Sequence, residues 1–397
     1  MPNGFHLGTI AGIDVRVNWS LLIVFFLITF SLSVALFPAW HPDWSPLLCI
    51  SMALIAAIAF FASVLAHELS HALVGRSRGI EVKRITLFIF GGMAHMENEP
   101  PNWRAELWMT IVGPITSLVL GVAFLWLAGL FVEPAAINPE HPEITLAAMG
   151  PLPTVFAWLG NINIILGLFN LVPGFPLDGG RVLRAVMWGI TGDLHRATRW
   201  ASQGGQFFAW LLIAAGAAMM LGLRVPFFGT GLLPGLWLAF IGWFLNNAAL
   251  ISYRQLLVRE LLEDVPVTRL MQTRFTRLAP DITVETLVHD HLLGGEQRAF
   301  PVFDGNRLLG MICLQDIRGV AREEWPRTRA DQIMTPAEKL AHAEVQEDAA
   351  TVLERLARRQ VNQLPVLEHG ELRGFVRRED IMRWLSLYGG QDFRNAA

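Results

Sequence analysis

Charge is what this sequence has least of: only 16% of its 397 residues are Asp, Glu, Lys or Arg, while 53% are apolar. That balance is too oily for an ordinary soluble enzyme and puts a membrane class first. Cysteine is almost absent too. Cys49 falls in an apolar run and Cys313 in a polar region, so the pair cannot build a disulfide framework, and the polar part is expected in a reducing compartment. Basic residues form no run and the formal net charge is −3, so no nucleic-acid partner is expected. Met1–Val17 has neither a basic n-region nor a small-residue cleavage site, and the first apolar run is expected to be retained.

What charge there is divides the chain. Residues 1–259 hold 12 acidic and 13 basic residues, whereas the shorter segment 260–397 holds 22 and 18. Six stretches without Asp, Glu, Lys or Arg are long enough to cross a hydrocarbon core that needs roughly 20 apolar residues: 17–42, 44–66, 107–132, 144–177, 200–223 and 225–253. The expected fold is a multi-pass α-helical membrane domain over 1–259, with about six spanning helices, followed by a soluble α+β domain over 260–397. Short-loop Lys and Arg decide which side faces the cytoplasm. They alternate: Arg16, then Arg76, Arg78, Lys83, Arg84 and Arg104, then Arg181, Arg184, Arg196 and Arg199, then Arg254 and Arg259. The loops His41–Asp43 and Glu133–Glu143 carry none, and Arg224 stands alone between the last two stretches. Both termini are therefore expected in the cytoplasm, with the ends of helices two and four at the same depth.

Those two ends carry the chemistry. His67-Glu68-Leu69-Ser70-His71 is an H-E-x-x-H run; on a helix its i, i+4 spacing puts both imidazoles on one face, able to bind one metal, with Glu68 beside the water. Ionisable groups in an apolar segment are costly and are seldom kept without a partner or a task. A catalytic zinc takes three protein ligands and an open position, so a third ligand is needed. Asp178, the only acid between Glu143 and Asp193, is the candidate, in Asn170-Leu-Val-Pro-Gly-Phe-Pro-Leu-Asp178-Gly-Gly180. Its prolines must break the helix, and broken backbone at membrane depth is tolerated where protein buries it or it lines a wet cavity. Asp178 has a second reading, as N-cap of the following helix, and the two can hold together.

H-E-x-x-H at the end of a spanning segment, followed by Asn-x-x-Pro-x-x-Pro-Leu-Asp-Gly-Gly, resembles the site-2 protease family of intramembrane zinc metalloproteases. The resemblance implies one Zn2+ held by His67, His71 and Asp178, Glu68 as general base, and Asn170 near the substrate carbonyl. Asn170 could hydrogen-bond the forming oxyanion; helix packing is its other reading. The implied substrate is a membrane protein with a transmembrane helix, cut within or near that segment. Ile80–Met96, β-branched and aromatic around Gly91-Gly92, reads as strand and turn. In that family such a hairpin lies beside the active site, where its edge could pair with an unwound substrate; a plain packing hairpin is the alternative. Alternation from Ile13 to Val17 suits a short strand that could join the same sheet.

Beyond Arg259 the sequence repeats loosely at a period of roughly 65 residues, placing units at about 265–325 and 330–390. The first contains Val267–Met271, Ala299–Phe303 and Leu309–Ile317; the second contains Ala330–Pro336, Asn362–Leu367 and Arg373–Ile381. They resemble a tandem of cystathionine-β-synthase-type (CBS) domains, which implies a regulatory module, an adenine nucleotide with Asp316 and Asp380 at its ribose, and a homodimer through the pair. Where that pattern has Ser or Thr, this chain has Cys313 and Arg377, so a module without ligand stands beside the nucleotide reading. A transporter or channel with a regulatory CBS pair also fits six helices, but it leaves the H-E-x-x-H run without a task.

Overall fold

The computed structural model describes residues 4–89, 91–96, 100–132, 145, 148–226, 228–293 and 297–388. The acidic loop Glu133–Glu143 falls outside them. The chain forms two compact units, Met1–Tyr253 and Arg254–Ala397.

Among the described residues, five helices are long and apolar enough to cross a membrane: α1 (Ser20–Trp40), α2 (Pro46–Ser77), α3 (Trp103–Gly129), α4 (Pro151–Asn170) and Leu232–Arg259, the apolar part of the helix Leu232–Leu262. The stretch 200–223 is helical as well, within Leu194–Met220, whose first turns carry His195, Arg196 and Arg199. Helix α4 stops at Asn170 as its downstream prolines require, and a separate helix, α5, runs Asp178–Thr191. Leu177 occupies the N-cap position of α5 without a side-chain cap bond, so Asp178 is the first helical residue rather than the cap.

A four-stranded sheet stands beside these helices in the order β1 (Gly4–Ile10), β2 (Ile13–Asn18), β3 (Val82–Phe88), β4 (Gly91–Met96). The expected hairpin is β3–β4, and β2 joins it in parallel, Asp14 opposite Arg84 and Val17 opposite Leu87. Ile13, Val17, Ile85 and Leu87 point inward onto Val64 and Ala72 of α2 and Met109 of α3. Arg76, in the last turn of α2, donates to the carbonyls of Val82, Ala11 and Gly12, at 2.9 Å or less. The sheet is thereby tied to the helix that carries the histidines.

The second unit contains two small three-stranded sheets. Ala299–Asp304, Arg307–Cys313 and Thr335–Pro336 form one; Gln363–Glu368, Glu371–Arg377 and Ala343–Glu344 form the other. Each hairpin runs directly into a helix, Leu314–Arg318 or Arg378–Tyr388. This hairpin-then-helix order recurs in both halves and is the internal duplication in three dimensions, while the third strand joins the second hairpin strand in one sheet and the first in the other.

Candidate metal centre

His67 and His71 lie one turn apart on α2, so their rings share a face. Their Nε2 atoms are 3.1 Å apart, and each is 3.1 Å from Oδ2 of Asp178, more than a hundred residues away in sequence. His71 and His67 are nearly buried. The carbonyl of Met109 accepts from His71 Nδ1 at 2.7 Å. A carbonyl cannot donate, so the proton of a neutral His71 is on Nδ1 and its Nε2 presents a lone pair. His67 is oriented alike, its Nδ1 2.8 Å from the Ser117 hydroxyl.

Asp178 Oδ2 and His71 Nε2 thus offer lone pairs, and His67 Nε2 completes a triangle of atoms that could hold a metal ion. Zinc–nitrogen bonds of about 2.0–2.1 Å in a tetrahedron set donor–donor edges of roughly 3.3–3.4 Å, close to the triangle observed. A second observation supports the fit. Gly113 of α3 lies directly beneath the triangle: a Cβ there would stand 2.1 Å from His71 Nε2 and 2.8 Å from His67 Nε2. The space is kept open by the absence of a side chain. Among the described residues, these three are the group of His, Cys, Asp and Glu side chains placed to hold a metal ion.

Glu68 is not in that group. Its side chain lies against β4, where a Cβ on Gly92 would fall 2.2 Å from Glu68 Cγ and 2.8 Å from Oε1. Gly92, singled out for substrate binding, therefore touches the candidate base itself. Gly91 precedes it at φ 121°, a conformation open to glycine, with nothing near its missing side chain. Asn170 closes α4 half-buried, and among the described residues no hydrogen bond joins it to the histidines or Asp178.

The residues that reading the sequence missed are Met109, Gly113 and Ser117, all on α3. Nothing in their spacing announces a metal. Small and hydroxylated residues in an apolar helix ordinarily signal helix packing, and only the fold shows what faces them.

Residues 55–212 match peptidase family M50, and residues 264–323 and 330–387 each match the CBS domain. Rip3 of Mycobacterium tuberculosis, named as a candidate zinc metalloprotease, is 34% identical over 98% of this chain and 94% of its own. A Synechocystis protein named in the same way is 33% identical over 97% of this chain and 96% of its own. The chain belongs to peptidase family M50. The site-2 protease of Methanocaldococcus jannaschii, a solved structure, is 24% identical, covers 63% of this chain and 95% of its own, and superposes with a TM-score of 0.40. The M50 family match and the two named relatives make this chain an intramembrane zinc metalloprotease with a CBS pair, and they do not favour the transporter reading.

In the CBS pair, the two aspartates are already engaged. Asp316 accepts from the backbone N–H of Cys313 at 2.6 Å, closing the start of its own helix. Burial and the neighbouring Asp316 push the Cys313 thiol up to about 11, so it stays protonated where the pattern has a hydroxyl. Asp380 is buried and takes two bonds from Arg377, at 2.8 and 2.9 Å.

Proposed function

We propose that His67, His71 and Asp178 hold the zinc and that Glu68 is the general base for hydrolysis of a peptide bond in a membrane-spanning substrate. The observation that carries this reading is the convergence of three ligand atoms from two distant segments, with Glu68 next to them and outside the ligand set. When bound, zinc supplies Lewis acidity that polarises the scissile carbonyl and makes a water easier to deprotonate. Glu68 takes a proton from the attacking water and delivers it to the departing amine as the C–N bond breaks. Asn170, at the broken end of α4, donates from its amide to the oxygen that gains charge. Gly91 and Gly92 let substrate backbone approach along β4, because a helix hides its carbonyls and must unwind before it is cut.

The protease domain is proposed to span 1–259 and the regulatory pair 260–397, with both termini in the cytoplasm, as the alternation of basic loops supports. Cleavage of a single-span substrate by the full-length protein in detergent tests the metal assignment. A chelator is expected to abolish cutting and zinc to restore it, while His71→Ala and Asp178→Ala hold little zinc and do not cut. Full zinc occupancy in either variant would sink the ligand set.

The regulatory pair is proposed to assemble into a homodimer and to take an adenine nucleotide, with Asp316 and Asp380 toward the ribose. Arg377 then has to release Asp380 before the ligand can use it. Hydrogen bonds to charged groups are worth about 1.5–3 kcal/mol each, so Arg377→Ala is expected to tighten AMP or ATP binding about tenfold or more. Titration calorimetry on the full chain measures it, and an unchanged affinity removes Asp380 from the nucleotide site.

A further inference from the structure

The third ligand comes from a helix that has no contact with the H-E-x-x-H motif in sequence, and something must fix where that helix begins. Asp178 is the first residue of α5. Arg181 lies one turn on and Arg184 the next. Both guanidinium groups reach the same carboxylate, Glu106 of α3, which is completely buried. Arg184 makes the tighter pair: its Nε donates to Glu106 Oε1 at 2.8 Å, and its Nη2 donates to the same oxygen. Arg181 Nε is 3.7 Å from that oxygen. The Arg184 guanidinium also lies over the Phe175 ring, 5.6 Å from its centre, which anchors the broken segment ahead of Asp178. Arg181 Nη2 approaches Met96 Sδ of β4 at 3.9 Å.

Glu106 is not alone on its helix. Glu106, Met109, Gly113 and Ser117 follow one another at spacings of three, four and four residues, so they fall within about a quarter of the circumference of α3. All four are buried. Along that stripe, Ser117 meets His67, Gly113 lies under both Nε2 atoms, Met109 holds His71, and Glu106 holds the helix that starts with Asp178.

We infer that this single face of α3 positions all three metal ligands, with Ser117 setting His67, Met109 setting His71, and Glu106 setting Asp178 through Arg184 and Arg181. The inference rests on His67, His71 and Asp178 being the ligands. These are positioning residues: each acts on a ligand or on the helix that bears one. Partners that orient a metal ligand typically matter 10–100-fold in metal affinity. A charged clamp suits Asp178 in particular. The two histidines share one helix and are placed relative to each other by its geometry, but the carboxylate has to be brought to them from outside.

The test uses the full-length protein in detergent, reading zinc affinity by competition with a chelator of known strength and the visible absorption of the cobalt-substituted protein. Ser117→Ala is expected to weaken zinc about 10–100-fold. Glu106→Gln is expected to weaken it at least about tenfold and to alter the cobalt bands, because a displaced Asp178 changes the ligand field. Should Glu106→Gln fold poorly, Glu106→Gln with Arg184→Gln removes both charges and is expected to give the same cobalt change. Val119→Ala, on an exposed face of α3, keeps native affinity and spectrum. A native response of Ser117→Ala or of the Glu106 variants, alongside zinc loss in His71→Ala, overturns the inference and leaves the ligand assignment standing. Native zinc binding in His71→Ala overturns the ligand assignment itself.

Discussion

Glu68→Gln is expected to keep one zinc per chain while kcat falls by about 10^2–10^4-fold. The substitution preserves the shape of a side chain that packs on Gly92 and removes only its capacity to accept a proton. Because the proposed ligand atoms belong to His67, His71 and Asp178 and not to Glu68, occupancy should not change. Metal analysis and turnover of a single-span substrate, measured on the same preparation, separate the two effects. If zinc leaves together with activity, Glu68 is a ligand; if the variant cuts at the native rate, another group moves the proton.

Gly113→Ala reaches the same loss of turnover from the opposite direction. The added methyl would stand 2.1 Å from His71 Nε2 and 2.8 Å from His67 Nε2, distances that real contacts do not reach. One ring or α3 must move, and a moved ring no longer completes the triangle. Zinc is expected to be lost, and with it the several kcal/mol of charge stabilisation that a metal gives the reaction, a fall on the order of 10^3-fold or more. Gly129→Ala, at the end of the same helix with open space around it, should behave as native. Gly113→Ala with normal zinc content would show that the cradle has slack that the structure does not display.

The histidines and Asp178 were legible in the sequence for different reasons. H-E-x-x-H is a local motif whose geometry is set by one turn of helix. Asp178 stood out because it was a lone acid in a segment that prolines had to break. The hairpin Ile80–Met96 was legible from its β-branched and aromatic residues around Gly91-Gly92 and the strand from Ile13 from alternation, whereas β1 was not, since its Phe5, Leu7 and Ile10 stay exposed and mark no buried face. Gly113, Ser117 and Glu106 were illegible because their significance is tertiary. A glycine, a serine and one acid in an oily helix look the same whether they face lipid, a neighbour or a metal. Arg377 shows the converse: its departure from the family pattern was visible, but that it fills the carboxylate of Asp380 was not.

β4 closes the sheet order β1-β2-β3-β4, and its Gly92 rests on Glu68. A peptide laid along that rim, as proposed, would be read against the carboxylate as a scale is read against a fixed mark. Slipping it by one residue turns every side chain to the opposite face, so neighbouring bonds present their side chains to opposite faces, and equivalent ones recur about every 6.8 Å. The choice of bond would then follow the parity of the substrate's bulky residues rather than any single one of them.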